Sequence, residues 1–230
     1  TSVAFGASSG GSVVVGVAGA GDDARAFRWT ESGGMQMLTS IAGASSSCGY
    51  AVNDDGSVAV GFCSGSFGYR AVRWTLAGDA LNLGVLPNGR ASQAIHVSGD
   101  GLTIAGTATT EFYDLVPMLW NQRIGMVNAD SYFRSLGMDL TGWTITQIDG
   151  LSFDGRTLAG YGIHNGRPEV WIATLGCRAD FNADDVLNFF DYLEFVDALI
   201  SELPTSDFNS DRVIDFFDYL DFVDAFSIGC

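Results

Sequence analysis

The sequence contains no lysine, only two histidines and only four prolines among its 230 residues. Eleven arginines stand against 27 acidic residues, which gives a formal net charge of −16 at pH 7. A surface this acidic repels nucleic acids and anionic membranes, and it attracts divalent cations. The chain has no apolar run of transmembrane length and no leader before Thr1, so we expect a mature, processed chain without a membrane span.

Motifs of catalysis are also missing from the sequence. There is no nucleophile elbow, no zinc-protease helix and no phosphate-binding loop. His96 and His164 are lone histidines, which are usually structural, and the carboxylates of Asp55, Asp100 and Asp154 lie in turns. A glycoside hydrolase needs two carboxylates about 5–10 Å apart in a cleft. The sequence leaves that arrangement open but does not indicate it, so we expect a protein that is not an enzyme.

The chain has only four cysteines, for which three connectivities exist. Cys177 and Cys230 bracket the last quarter of the chain, where a disulfide would join its two ends. Cys48 and Cys63 flank a predicted hairpin whose two-residue turn is Asp55-Gly56, and this register places them directly opposite, within disulfide range. The alternative for each pair is two free buried thiols. Disulfides would place the protein outside the cell or in another oxidising compartment.

The last quarter of the chain contains one acidic pattern twice, with the copies starting 27 residues apart. Oxygen-bearing side chains stand at positions 1, 3, 5, 9 and 12 of a twelve-residue loop, and position 7 offers its backbone carbonyl. This spacing lets a loop surround a calcium ion with six or more oxygen ligands. The predicted ligands of the first calcium site are Asp180, Asn182, Asp184, Val186, Asn188 and Asp191, and those of the second are Asp207, Asn209, Asp211, Val213, Asp215 and Asp218.

Position 6 of such a loop usually carries glycine for a sharp turn, but here it is Asp185 and Arg212. Arginine disfavours the left-handed backbone more than aspartate does, which leads us to expect weaker binding at the second loop. The alternative reading is that the Asn and Asp clusters only form solvated turns and helix caps. An apolar pattern of helical period follows each loop and predicts a helix after it.

Two such loops, each followed by a helix and each with aspartate at position 12, resemble the dockerin family of extracellular modules. The resemblance covers residues 177–230 and implies calcium-dependent folding. Dockerins of cellulosomes bind cohesin partly through loop positions 10 and 11, which in that group are small hydroxyl residues. Here these positions are Phe189-Phe190 and Phe216-Phe217, so cohesin binding does not carry over.

A longer repeat occupies the first 175 residues. Turn pairs at Gly10-Gly11, Asp55-Gly56, Asp100-Gly101 and Asp154-Gly155 are spaced by 45, 45 and 54 residues, and a glycine follows each pair five residues later. Alternating residues on both sides of the turns predict a hairpin in each unit. Further strands follow, and four strands in about 45 residues is the size of one β-propeller blade.

Trp29, Trp74 and Trp120 recur at one phase of this repeat, which is typical of core residues, although a row of carbohydrate-binding aromatics is the alternative. The third unit departs from the others with a short helix predicted near 128–136, capped by Asn128 or Asp130. The elements Ala26-Phe27-Arg28-Trp29 and Asp55 to Gly61 resemble the HAF-type extracellular repeat family. That resemblance implies a secreted, propeller-like fold and no defined activity. Together with the dockerin-like module, it resembles surface proteins of planctomycete-type bacteria.

The sequence therefore predicts a mainly β protein, with four propeller-like repeats over residues 1–175 and a small helical module with two calcium loops over 176–230. The fourth unit ends after three strands, so either the N-terminal strand or a neighbouring molecule could complete it. We expect a non-catalytic extracellular or cell-surface protein that binds other protein chains and assembles as a homo-oligomer or head-to-tail fibril. The alternative is a secreted polysaccharide-binding protein or enzyme anchored by its dockerin-like module.

Overall fold

The computed structural model describes residues 1–122, 124–177, 179–182, 186–208 and 213–228. The chain divides into two compact units, Thr1–Ala173 and Thr174–Cys230, and each is treated by itself below. In the part of the chain described, no helix is both long enough and apolar enough to cross a membrane.

The first unit consists of four antiparallel sheets in chain order, and in each sheet consecutive strands are neighbours. Sheet 1 contains β1 (Ser2–Ala7), β2 (Val13–Ala18), β3 (Arg25–Thr30) and β4 (Gly34–Met37). Sheet 2 contains β5 (Ala44–Val52), β6 (Ala59–Gly65), β7 (Gly68–Trp74) and β8 (Ala80–Asn82). Sheet 3 contains β9 (Ser92–Val97), β10 (Ile104–Thr109), β11 (Leu115–Asn121) and β12 (Gly125–Asn128). Sheet 4 contains β13 (Trp143–Leu151), β14 (Thr157–His164) and β15 (Arg167–Thr174).

The mainly β fold with repeated four-stranded sheets agrees with the sequence prediction. Helix α1 (Ala129–Ser135) follows β12, and the Asn128 side chain caps it by accepting a hydrogen bond from the Ser131 N–H at 3.1 Å. Because β1 is the first strand of sheet 1, it does not complete sheet 4, and that alternative from the sequence is wrong.

The first turn of every sheet has the same four-residue loop, not the two-residue turn that the sequence predicts. In sheet 2 the Asn53 N–H donates to the Val58 carbonyl, and the Asn53 side chain accepts from the Val58 N–H at 2.8 Å. The same pair of hydrogen bonds joins Ser8 to Val13, Ser98 to Thr103 and Ser152 to Thr157. The side chain at the start of the loop thus accepts the backbone N–H that a backbone carbonyl would accept in a two-residue turn.

A β-bulge recurs in the first strand of every sheet. The extra residues are Phe5, Tyr50, Ile95 and Asp149, at the same 45, 45 and 54 spacing as the turns. At each bulge, a backbone carbonyl lies close to the glycine that follows the turn in the next strand. A Cβ on Gly61 would lie 1.9 Å from the Cys48 carbonyl oxygen, and Gly16, Gly106 and Gly160 are equally crowded. The repeated glycine is therefore required by a close backbone approach.

The sheets pack face to face through equivalent residues. We call the side of a sheet that carries Phe27, Val72, Met118 or Trp171 its leading face, and the opposite side its trailing face. One core joins the trailing face of sheet 1 to the leading face of sheet 2, and a second core joins sheets 2 and 3 in the same way. Equivalent hydrogen bonds cross these contacts, from the Ala26 N–H to the Ser47 hydroxyl and from the Ala71 N–H to the Ser92 hydroxyl, both 2.9 Å.

The predicted Cys48–Cys63 disulfide is wrong, because both cysteines are free and buried. The bulge at Tyr50 shifts the register by one residue, so that Cys63 faces Ser47 and Cys48 faces Phe62. A shift of one residue puts the two side chains on opposite faces of the sheet. Burial raises the pKa of the Cys48 thiol to about 11 and also raises that of Cys63, which keeps both sulfurs protonated and unreactive at neutral pH.

Among its described residues the second unit contains two α-helices, α2 (Phe189–Ile200) and α3 (Phe216–Ile228), each directly after one acidic loop. Phe195 and Phe222 stack at the centre of the unit with their ring centroids 4.0 Å apart, and Phe181 and Phe208 contact them edge-on. Phe181 and Phe208 are position 2 of their loops, so each loop contributes an aromatic ring to the same small core.

Candidate metal centre

The two position-12 carboxylates, Asp191 and Asp218, are the only fully buried acidic side chains among the described residues. Each stands in the first turn of its helix and accepts a backbone N–H three residues earlier, from Asn188 at 2.8 Å and from Asp215 at 2.9 Å. Its other oxygen accepts from the beginning of the loop, from Asn182 at 3.2 Å in the first copy and from Phe208 at 2.7 Å in the second. Each aspartate therefore ties the two ends of its loop together.

The first of these carboxylates is held in its charged form. Burial raises the pKa of Asp191, but N–H groups of Asn188, Asn182 and Phe181 outweigh this, and its pKa lies below the ordinary value. A carboxylate with a lowered pKa is ionised at neutral pH, which is the form that binds a hard cation such as calcium.

Residues at other predicted ligand positions lie beside these carboxylates. In the first loop, the Asn188 amide donates to the Val186 carbonyl at 2.8 Å, so positions 7, 9 and 12 form one hydrogen-bonded group together with Asn182. In the second loop, Asp215 accepts from the Phe217 N–H at 2.7 Å and donates its own N–H to Asp218. Asp180 and Asp207 stand partly buried at the start of the loops, and Val213 is exposed.

Three predicted ligands, Asp184, Asn209 and Asp211, lie outside the described residues, as do Asp185 and Arg212 at position 6. Within the part of the chain described, no three His, Cys, Asp or Glu side chains gather as a metal cluster. The donors that the structure does describe at these positions are carboxylate, amide and carbonyl oxygens. Such hard donors fit calcium and do not fit a soft metal.

The internal repeat of the second unit extends beyond the two loops. The hydroxyls of Tyr192 and Tyr219, 27 residues apart, lie 3.2 Å from each other.

The apolar pattern predicted for the helices is only partly core, because several of its large side chains are exposed. These are Phe189, Phe190 and Leu193 of α2, and Phe216, Phe217 and Leu220 of α3. We call these six residues the paired apolar patch.

Cys177 takes part in a disulfide bond. Its sulfur also accepts a hydrogen bond from the Asp180 N–H, at 3.3 Å, beside the first predicted ligand. Cys230 lies outside the described residues, so the pairing of Cys177 with Cys230 stays a prediction.

Two clefts in the first unit show no arrangement for acid–base hydrolysis. One, of about 570 Å³, lies near α1, and Glu111 is the only carboxylate among its lining residues. The other, of about 340 Å³, is formed by β1, β5 and β9, and its lining includes His96 and no carboxylate. Burial lowers the pKa of His96. His164 is the last residue of β14. Its ring stacks on Trp143 at 4.5 Å and contacts Glu169 at 3.1 Å.

No family model matches the chain, and no curated protein matches it. Among solved structures, TolB from Acinetobacter baumannii matches with a TM-score of 0.52 and 16% identity, over 74% of this chain and 39% of that one. A protein titled TolB from Agrobacterium tumefaciens matches with a TM-score of 0.48 and 14% identity, over 75% of this chain and 57% of that one. The repeat unit has a β-propeller-like fold. The chain spans less than two thirds of either TolB chain. The likeness to the first concerns the propeller fold alone.

Two features of this propeller-like chain were missed from the sequence, although a signal was present for both. The bulges at Phe5, Tyr50, Ile95 and Asp149 share no residue type, and their signal in the sequence is the glycine repeated in the next strand, which a close backbone approach requires. The double phenylalanines at loop positions 10 and 11 repeat at 27 residues in both copies. Residues that repeat at such positions but face water indicate a surface and not a core.

Proposed function

We propose that this chain is a non-catalytic, calcium-stabilised extracellular protein whose task is to bind other protein chains. The observation that carries the proposal is the pair of buried carboxylates, Asp191 and Asp218, in equivalent places of two acidic loops. The HAF-type and dockerin-like resemblances support the same assignment.

The charge of the second unit supports a bound cation. Thirteen of the acidic residues lie between Cys177 and Cys230, against two arginines. Such a concentration of like charge opposes folding into a compact module. Calcium that binds only the folded loops would offset this repulsion and stabilise the module by mass action. The proposed disulfide between Cys177 and Cys230 and the proposed need for calcium both support an extracellular location.

Calorimetry with and without a chelator tests the calcium site. We expect EDTA to lower or abolish the melting transition of the second unit and added calcium to restore it, while the transition of the repeat unit stays in place. At a free calcium concentration 100 times the dissociation constant, one site adds about 2.7 kcal/mol. Asp218→Asn is the matched variant, because it keeps the shape of the side chain and removes the charge. A melting profile unchanged by EDTA contradicts the proposal.

The paired apolar patch is the proposed binding surface of the second unit. Its six side chains are exposed, and large exposed apolar patches mark sites of protein interaction. Phe190→Asp with Phe217→Asp should abolish binding of a protein partner without lowering the calcium-dependent melting midpoint. Glu202→Gln, at an exposed position after α2, is the control. Binding that survives the double substitution would place the contact elsewhere.

The outer edge of sheet 4 gives a second reason to propose protein binding and assembly into fibrils. Among the described residues β15 has one neighbouring strand, β14, whereas β3, β7 and β11 each have two. An edge strand of this length can accept a strand from another molecule. Electron microscopy of the purified chain in calcium tests assembly directly, since filaments and discrete particles differ in outline.

A further inference from the structure

The two end sheets of the repeat unit each present a face that has no neighbouring sheet among the described residues. On sheet 1 this is the leading face, with Trp29, Met35 and Met37 exposed above the buried Phe27. Strand pairing confirms that they share one face, because Trp29 lies opposite Met35 and Phe27 opposite Met37. On sheet 4 it is the trailing face. Val170 and Ile172 of β15 point away from the buried Trp171, and they are 81% and 76% exposed.

The chain itself shows what covers such faces. Trp74 occupies in sheet 2 the place of Trp29 in sheet 1, and it is fully buried against the trailing face of sheet 1. Ala26 and Ala71 occupy in sheets 1 and 2 the place of Val170, and both are 0% exposed because the leading face of the next sheet covers them. Inside the chain, a trailing face therefore meets a leading face.

We propose that the trailing face of sheet 4 packs on the leading face of sheet 1 of a second copy of this chain. This deepens the proposed function, on which it rests, by naming the partner and the surface. The side chains that define the two faces are apolar and carry no charge, so bringing them together removes apolar surface from water without burying an ion. The contact is heterologous, since two different surfaces meet, and it allows head-to-tail growth or a closed ring.

Two single substitutions distinguish this contact from any other association of the 230-residue chain. Met37→Asp blocks the sheet 1 face, and Ile172→Asp blocks the sheet 4 face. Both positions are more than half exposed in one copy, so each variant should keep the fold and melting midpoint of the parent chain. Leu102→Asp, at an exposed apolar position in the β9–β10 loop, is the matched control.

Light scattering after size exclusion measures the outcome in calcium. We expect the parent chain and Leu102→Asp to have a multiple of the single-chain mass of 24.3 kDa, and each face variant alone to have the single-chain mass. An equal mixture of Met37→Asp and Ile172→Asp should form a dimer and nothing larger, because only one intact pair of faces remains. A monomeric parent chain overturns the proposal, as does a face variant that by itself reaches the mass of the parent chain.

The same assay separates this inference from the calcium and patch proposals. Phe190→Asp with Phe217→Asp should leave head-to-tail association intact, and loss of association in that variant would overturn the present inference while supporting the patch. An absence of any EDTA effect on melting contradicts the calcium site but leaves the mass of the parent chain as an independent result.

Discussion

At the residue scale, four glycines carry the strongest constraint in the repeat unit. A methyl group on Gly61 would meet the Cys48 carbonyl oxygen at 1.9 Å and the Gly49 Cα at 3.0 Å. Both contacts are backbone atoms, which cannot move without opening the bulge at Tyr50. The glycine five residues after each turn is therefore required by the close backbone packing at the bulge, and not by the turn itself.

Gly61→Ala should destabilise the repeat unit by about 3 kcal/mol or more, because the added methyl overpacks a backbone contact. Gly150→Ala is the matched control, since a Cβ there has no neighbour within 4 Å, and its effect should stay within about 0.5 kcal/mol. Urea unfolding of the two variants beside the parent chain measures both values. Equal effects from the two substitutions would show that loss of glycine, and not crowding, governs stability at these positions.

At the scale of elements, the sequence predicted hairpins and helices but not which of their faces are buried. The turn pairs and the 27-residue repeat indicated where strands and helices begin. One bulged residue, Tyr50, then moved Cys48 and Cys63 to opposite faces, and no turn motif reports such a shift. Trp29 and Trp74 have the same place in their sheets, yet Trp29 is 36% exposed and Trp74 fully buried. Burial depends on the neighbouring sheet, which periodicity within one strand cannot specify.

Helix α2 allows a direct test of which apolar residues form the core. Phe195→Ala removes a ring stacked on Phe222 and should cost about 3–5 kcal/mol, enough to unfold a small module even in calcium. Phe190→Ala changes an exposed ring and should shift stability by about 0.5 kcal/mol or less. Far-ultraviolet circular dichroism during heating detects loss of the helices. Similar losses from both variants would mean that the exposed phenylalanine also packs within the module.

At the scale of the whole molecule, charge is distributed unevenly between the two units. Thirteen acidic residues and two arginines follow Cys177, whereas the other nine arginines lie in the repeat unit. The repeat unit is stabilised by packed faces and ladders of hydrogen bonds, which salt affects little. The stability of the second unit depends on how its negative charge is neutralised, so the two units should respond differently to the same change of solvent.

Added sodium chloride should raise the melting midpoint of the second unit when calcium is chelated. Repulsion between carboxylates acts over about 30 Å at 0.01 M salt and about 8 Å at 0.15 M, so salt relieves it in the metal-free module. A gain of about 1 kcal/mol corresponds to roughly 4–8 °C for a module of this size. In saturating calcium the same salt step should have a smaller effect, because bound metal has already offset part of the charge. Calorimetry of the intact chain reads both transitions at once, with the repeat unit as internal control. A midpoint that falls with salt in EDTA would show that attractive charge pairs, and not repulsion, dominate the metal-free module.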